Sequence, residues 1–285
     1  MTAISELSWG TRMQAVVRDV SSRSVPFGSQ VHTHLRVSST NDLAARLAAD
    51  GVPEGTIVLA ASQTQGRGRR GAAFHSPPDT GLYLSTVLRP ASWPSAAHDA
   101  GGVAAAITLM AGLAVVETAH AVGASHAQLK WPNDVVVPLA TRGWRKLAGI
   151  LTEASADAAG GLQIVLGVGI NVREVPAQVG LDDVATSLTD EAGRPVTVDE
   201  TVAALLLSLA RAYRLLAGQG RLAVVEAWRR HAPSLAGRGV AWMDGAVRRT
   251  GVTRGVDDTG ALRVDTADGP VTLVSGDVTW ERPDA

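Results

Sequence analysis

Gly66-Arg67-Gly68-Arg69-Arg70-Gly71 spells G-x-G-x-x-G, and how it is read decides the fold. In a doubly wound dinucleotide-binding domain such a run follows a strand directly, opens a helix, and is trailed by an acidic residue about twenty positions on. Here the polar stretch Ser62 to Gln65 intervenes, no helical periodicity follows, and Leu88 to Pro90 offers no acid. No Lys-Ser or Lys-Thr closes the run either, which excludes a Walker-type phosphate loop. What remains is a glycine-flexed loop with three arginines. Glycines let backbone approach a ligand closely, and guanidinium forks suit carboxylate and phosphate oxygens. A solvated basic turn accounts for the segment equally well.

Working outward, Ser39-Thr40-Asn41-Asp42 precedes Leu43, Ala44, Leu47 and Ala48, an N-cap opening a short amphipathic helix that ends at Asp50-Gly51. Thr56 to Ala61 and the alternating run Gly81 to Leu88 read as strands. A long helix is expected at about Gly101 to Val122, because Ala100 to Val116 is uncharged and short for a membrane span, which suits a buried core helix. Short strands follow at Ala127 to Trp131 and Val135 to Val137, then a loop around Thr141 to Trp144. Further strands are expected at Leu147 to Glu153 and Leu162 to Val168, and helices at Asp199 to Leu216 and Arg221 to His231. Residues 1 to about 30 are Ser/Arg-rich and read as irregular. From Val240 to Trp280, short β-rich runs are broken by Asp244-Gly245, Asp258-Thr259-Gly260 and Asp268-Gly269, the pattern of a small SH3-like β-barrel beginning near residue 236.

Composition narrows the function classes. A net charge of −1 removes any general electrostatic case for binding DNA or a membrane. The absence of cysteine excludes disulfides, thiolate-bound zinc and a thiol nucleophile, and suits a reducing cytoplasm. The first ten residues lack a basic segment followed by an apolar run, so no signal peptide is expected. Of 26 basic residues only Lys130 and Lys146 are lysines. A codon bias explains the scarcity but not the positions, since both lie in motif-like segments. A compact ammonium and a planar guanidinium are not interchangeable beside a small anionic centre.

Lys130-Trp131-Pro132-Asn133-Asp134 puts a cation, an aromatic and an acid at a strand end, which suits a nucleotide: the cation for phosphate, the acid for a metal ion. An ordinary turn has the same composition. Lys146-Leu147-Ala148-Gly149-Ile150-Leu151 sets a lysine at the entrance of a buried strand, with Gly149 on the face of Leu147 and open to a ligand. Gly167-Val168-Gly169-Ile170-Asn171-Val172 places glycines in an apolar strand, meaning either a kink or backbone contact with a ligand. The seven histidines show neither metal spacing nor a serine partner. The tryptophans are scattered, as core or domain-interface residues are.

Taken in order and spacing, Ser39-Thr40-Asn41, Gly66 to Gly71, Lys130 to Asp134, Lys146 to Leu151 and Gly167 to Val172 resemble the biotin–protein ligases across about residues 35 to 280. The resemblance implies an α/β (α+β) fold. Its class II synthetase-like mixed sheet would be flanked by helices over residues 1–235, with the SH3-like β-barrel over 236–285. It implies an enzyme that makes biotinyl-5′-AMP from biotin and ATP, with Mg²⁺, and transfers biotin to a lysine of a biotin carboxyl carrier domain of an acyl-CoA carboxylase. Ser39, Thr40, Asn41 and Gln63 would hold biotin, with Gln63 on the ureido ring. Gly66, Arg67, Gly68 and Arg69 would close over it, beside Gly149. Lys146, and with it Arg69, would be catalytic, Lys146 touching the biotin carboxylate and the α-phosphate. Lys130, Asn133, Asp134, Gly167 and Asn171 would serve ATP, Asp134 being the candidate metal ligand. The chain departs from the family pattern at Ala72 and Phe74, where Arg and Trp are common.

Within the same fold, octanoyl transfer would need a cysteine, whereas lipoate ligation survives that test. A biotin-sensing repressor would need a winged helix, and 38 residues before Ser39 are too few. A cytoplasmic monomer or weak homodimer without DNA or membrane partners is the expectation.

Overall fold

Val31–His34 (β1) and Ile57–Ala60 (β2) pair in parallel, and from β2 onward every pairing in the sheet is antiparallel. The remaining strands are Gly81–Leu88 (β3), Gln128–Lys130 (β4), Asp134–Leu139 (β5), Gly143–Ala156 (β6) and Leu162–Asn171 (β7), in the spatial order β1-β2-β3-β7-β6-β5-β4. The structure, a computed structural model, describes residues 6–23, 26–90, 100–139, 143–157, 159–173, 185–276 and 278–280.

Strand alternation divides the sheet's side chains between two faces. Ile57, Leu59, Leu82, Leu84, Leu88, Leu166, Val168 and Ile170 point into the main core. That core is closed by the helices Glu6–Ser21 (α1), Ala100–Ala121 (α3) and Val198–Arg230 (α5). The opposite face carries Val58, Val87 and Val165, covered by Ala44 and Ala48 of Thr40–Ala49 (α2). β3 is buried along its whole length because it lies between these two layers.

The expected long helix is α3, lodged in the main core. The two expected C-terminal helices are one run, α5, broken at Gly220, whose φ of 81° and ψ of −177° are closed to most L-residues. The expectation of an irregular N-terminus is corrected by α1. Trp9, Met13, Val17 and Val20 recur along one helical stripe and are all buried. Trp144, read as loop, lies in β6; Thr141 falls outside the described residues. A short helix, Leu188–Ala192 (α4), capped by Ser187, had no apolar period to announce it.

Beyond α5 the chain forms a second, wholly antiparallel sheet from Gly239–Asp244 (β8), Val247–Val256 (β9), Leu262–Thr266 (β10), Gly269–Leu273 (β11) and Thr279–Trp280 (β12), ordered β11-β10-β9-β8-β12. Its turns fall at the three Asp-Gly and Asp-Thr-Gly signals. In the second of these, Asp257 Oδ1 accepts hydrogen bonds from the Thr259 and Ala261 N–H groups. Val240, Trp242, Leu262 and Val264 join the main core, so the small sheet packs onto that core.

Candidate active site

The position of Lys146 is set by one extra residue. β5 and β6 pair as Val135 with Ala148 and Val136 with Lys146, leaving Leu147 as a β-bulge. Leu147, Ala148 and Ile150 all reach the core. In a regular strand Lys146 would share the face of Ala148 and Ile150, because side chains alternate. The bulge instead turns Lys146 onto the face of Gly149, whose absent Cβ would lie 3.2 Å from Lys146 Nζ. This corrects the expectation that Gly149 shares a face with Leu147.

Gly149 is paired directly with Gly169. Together they form a floor without side chains, and the Phe74 ring lies on it. A Cβ at Gly169 would meet Phe74 at 2.6 Å, and one at Gly149 would meet it at 3.4 Å. Phe74 also packs edge-on to Tyr83 of β3, with ring centroids 6.4 Å apart.

A buried polar network borders the floor at the start of α2. Gln63 Oε1 accepts from the Thr40 N–H at 2.8 Å, while Gln63 Nε2 donates to Ser76 Oγ at 3.0 Å. The Ser85 hydroxyl lies 2.8 Å from Thr40 Oγ1 and 2.6 Å from Asn41 Oδ1. Asn41 Nδ2 donates to Glu153 at 2.7 Å. Ser39 caps the helix, accepting from the Asp42 N–H. Of these, Ser39, Thr40, Asn41, Ser76 and Ser85 are buried and hydrogen-bonded, as buried polar groups must be, while Gln63 and Glu153 are half-buried.

The arginine loop crosses the mouth of this cavity. Arg67 pairs with Asp42 and, at 3.2 Å, with Glu153. Arg69 donates to the Gly276 carbonyl of the small sheet at 3.0 Å. Ser39, Thr40, Asn41, Gln63, Arg67, Gly68, Arg69, Asn133, Asp134, Lys146, Gly149 and Gly167 all line the cavity, as do Ala72 and Phe74. Gly66 closes the base of the loop against Ser76 and the Phe74 carbonyl.

At the far end, Lys130 and Asp134 face each other across the β4–β5 turn. Asp134 Oδ2 lies 3.2 Å from Lys130 Nζ and Oδ1 2.7 Å from Lys146 Nζ. Burial alone would push the Asp134 carboxyl up, but the two ammonium groups outweigh it and hold it below the usual carboxylate range. Lys130 itself is buried, its Nζ 4.4 Å from the ring centre of Trp144. Asn133 donates to the Ile150 carbonyl at 2.9 Å.

Of the residues expected to serve ATP, Asn133, Asp134 and Gly167 line the cavity, and Lys130 and Asn171 are not among its lining residues. Lys130 is enclosed behind Asp134. Gly167 lies under the Asn41 amide, and Asn171 donates to the Lys146 and Thr186 carbonyls at 3.3 and 3.0 Å. As a metal ligand Asp134 is already committed to both lysines, and no group of three His, Asp or Glu side chains is gathered among the described residues. Sequence reasoning missed Glu153, Ser85 and Ser76 as parts of the site. Glu153 was legible only as a strand-end acid; the serines carry no signal beyond alternating with apolar residues.

A floor without side chains, a cavity-facing ammonium and a basic loop thus lie together over the mixed sheet. The model of the biotin/lipoate A/B protein ligase family matches residues 34–171, and that of the biotin protein ligase C terminal domain matches residues 243–279. The biotin--[acetyl-CoA-carboxylase] ligase of Mycobacterium tuberculosis is 32% identical over 257 residues, covering 89% of this chain and 90% of that protein. The bifunctional ligase/repressor BirA of Bacillus subtilis is 31% identical over 255 residues, 88% of this chain and 74% of its own. Among solved structures, the biotin protein ligase from Aquifex aeolicus in complex with biotin and ATP superposes with a TM-score of 0.73 at 25% identity, covering 90% of this chain and all of that one. The chain belongs to the biotin/lipoate A/B protein ligase family.

Proposed function

We propose that this chain joins biotin to ATP as biotinyl-5′-AMP and then transfers the biotinyl group to one lysine of a biotin carboxyl carrier domain of an acyl-CoA carboxylase. The observation that carries this reading is Lys146. Among the described residues it is the one lysine lining the cavity, held by Asp134 at the edge of the glycine floor.

In the first step a carboxylate oxygen of biotin forms a bond to the α-phosphorus, and the bond to the β-phosphate oxygen breaks, releasing pyrophosphate. In the second the carrier lysine's amine attacks the acyl carbon and AMP leaves. Both steps need charge neutralisation and positioning more than covalent help. Ser39, Thr40, Asn41 and Gln63 would hold the biotin rings, and Gly149 would let them approach the sheet. Lys146 would bridge the carboxylate and the α-phosphate. Arg67 and Arg69, with Gly66 and Gly68 giving the backbone its freedom, would cover the adenylate and keep water out. Asn133 and Asp134 border the nucleotide end, with Lys130 behind Asp134 and Asn171 bonded to the Lys146 carbonyl, while Gly167 lies under Asn41. Mg²⁺ would enter bound to the phosphates of ATP, as part of the substrate.

Use of ATP and the absence of cysteine support a cytoplasmic setting, and the net charge of −1 supports protein rather than DNA as the macromolecular partner. We read the chain as a monomer or weak homodimer. The test is incubation with biotin or lipoate, α-labelled ATP and Mg²⁺, followed by a carrier domain. Biotinyl-AMP and a singly biotinylated carrier are expected; acyl-AMP formed only from lipoate, or none, would overturn the reading.

A further inference from the structure

The small sheet touches the site at three points. Trp131 Nε1 donates to the Gly260 carbonyl at 2.9 Å, Arg69 to that of Gly276, and Trp280 approaches Lys130. The last contact is the one that bears on the chemistry. Lys130 Nζ lies 4.4 Å from the Trp144 ring centre and 5.9 Å from that of Trp280. The two indoles meet edge to face, 6.2 Å apart at 85°. They wall off an ammonium that, among the described residues, hydrogen-bonds to Asp134.

An ammonium on a flexible four-carbon stem has no direction of its own, so its place is imposed by what surrounds it. Indole faces attract a cation and offer it no hydrogen-bond acceptor, which leaves Asp134 as the group toward which a proton must point. That fixes Asp134 Oδ2 on Lys130 and leaves Oδ1 for Lys146. Two lysines and one carboxylate carry one net positive charge, and of the two lysines it is Lys146 that lines the cavity. Trp280 is itself steadied: β12 pairs it with Val240, and the Arg238 guanidinium lies 5.4 Å from its ring centre while donating to the Ser234 carbonyl.

We propose that Trp280 of the small sheet is a positioning residue for carboxylate activation, acting with Trp144 through Lys130 and Asp134 to aim Lys146. The proposal rests on the reading of Lys146 as the activating cation. It makes the small sheet part of the catalytic alignment, and it explains why both lysines of an arginine-rich chain lie here.

Two lysines make the test direct. In protein labelled with ¹³C at lysine Cε, only Lys130 and Lys146 give signals, assigned with Lys146→Ala. The Lys130 methylene should resonate upfield through the indole ring currents, and the Lys146 signal should respond to ATP. In Trp280→Leu the Lys130 signal should return toward that of free lysine and the Lys146 signal should shift with it. Single-turnover adenylate formation should fall about tenfold, the loss expected of modest misplacement, while the Kd for biotin stays within twofold. Trp280→Phe, which keeps an aromatic face, should recover most of the rate. If Trp280→Leu moves the Lys130 signal but leaves Lys146 and the rate as in wild type, the positioning role is overturned. The same follows if Trp280→Phe is as slow as Trp280→Leu, or if biotin binding falls in step with the rate. A wild-type protein that makes no adenylate would overturn the activity reading itself, which is a separate result from an active enzyme with an unmoved Lys146.

Discussion

The Asp134 carboxylate lies 2.7 Å from the Lys146 ammonium and pairs the cation that lines the cavity. Its other oxygen is held by Lys130, whose side chain is 9% exposed. Removing the acid from such a group leaves a buried cation unpaired, a loss of several kcal/mol when both partners are fully buried. Lys146 keeps access to water, so Asp134→Asn should cost about 3 kcal/mol, the low end of that range. Urea denaturation of the two proteins checks the figure.

The same pair predicts a pH dependence. The lysines hold the Asp134 carboxyl below its ordinary value in the folded protein, so the folded state binds this proton less readily than the unfolded chain. The contribution is therefore complete above the unfolded carboxylate pKa of about 4 and is lost as pH falls through the lower folded value. The stability gap between wild type and Asp134→Asn should be flat from neutral pH to about 5 and should narrow below 4. A gap that instead closed between pH 7 and 5 would assign the effect to another group.

Lys146→Ala and Lys146→Arg should both cut adenylate formation by about a hundredfold or more, the scale of losing a preorganised charge at a transition state. Both should keep the fold. Gly149 is open because Lys146 Cε and Nζ lie 3.2 Å from its missing Cβ, a fit for a slender chain and not for a planar fork. Pyrophosphate-exchange rates measure it, and a Lys146→Arg enzyme near wild-type rate would contradict it.

Gly169→Ala places a methyl 2.6 Å from the Phe74 ring, which must leave the floor. The KM for biotin should rise about tenfold, by misplacement of the loop that carries Phe74. Gly71→Ala is the contrast: its φ is 78° with nothing within 4 Å of the added Cβ, so it should lose only about 1 kcal/mol of backbone preference. If the two substitutions changed biotin KM equally, the floor would have no special part in binding.

The arginine loop, residues 64–75, is tied by ion pairs whose side chains are 35–40% exposed, a class worth about 0–1 kcal/mol each. Such ties open often. Amide exchange in this loop should therefore be fast without ligand and slow at least tenfold once biotin and ATP are bound. Equal exchange in both states would contradict the reading of the loop as a cover.

What could be read from the chain depended on whether a signal was local. Ser39 as a helix cap, the Asp-Gly turns of the small sheet and the extent of β3 follow from neighbouring residues, and the structure has them where they were expected. The face of Lys146 does not, because a bulge at Leu147 is decided by pairing with β5 and not by its own strand. The enclosure of Lys130 was not legible either, because Trp144 and Trp280 are 14 and 150 positions further along. The helix α1 was hidden by the serines and arginines between Trp9, Met13, Val17 and Val20. Glu153 became a site residue only when β6 brought it beside Asn41 and Arg67.

Arg69 reaches across to the Gly276 carbonyl, so it ties the loop to the small sheet as well as facing the cavity. If the loop retains biotinyl-AMP by pairing arginine with its anionic phosphate, Arg69→Gly should loosen retention without stopping synthesis, since Lys146 and Asp134 are untouched. Escaped adenylate is a mixed anhydride and acylates exposed amines. In a lysine-rich enzyme self-labelling would dominate, but this chain offers only Lys130, Lys146 and the amino group of Met1. Lys130 is 7% exposed and Lys146 is paired with Asp134. The variant should therefore biotinylate an added lysine-rich bystander protein while scarcely labelling itself, whereas wild type labels neither without a carrier domain. Mass spectrometry of the mixture reads both outcomes. A variant that makes adenylate at the wild-type rate, yet labels the bystander no more than wild type does, would show that retention depends on other parts of the loop.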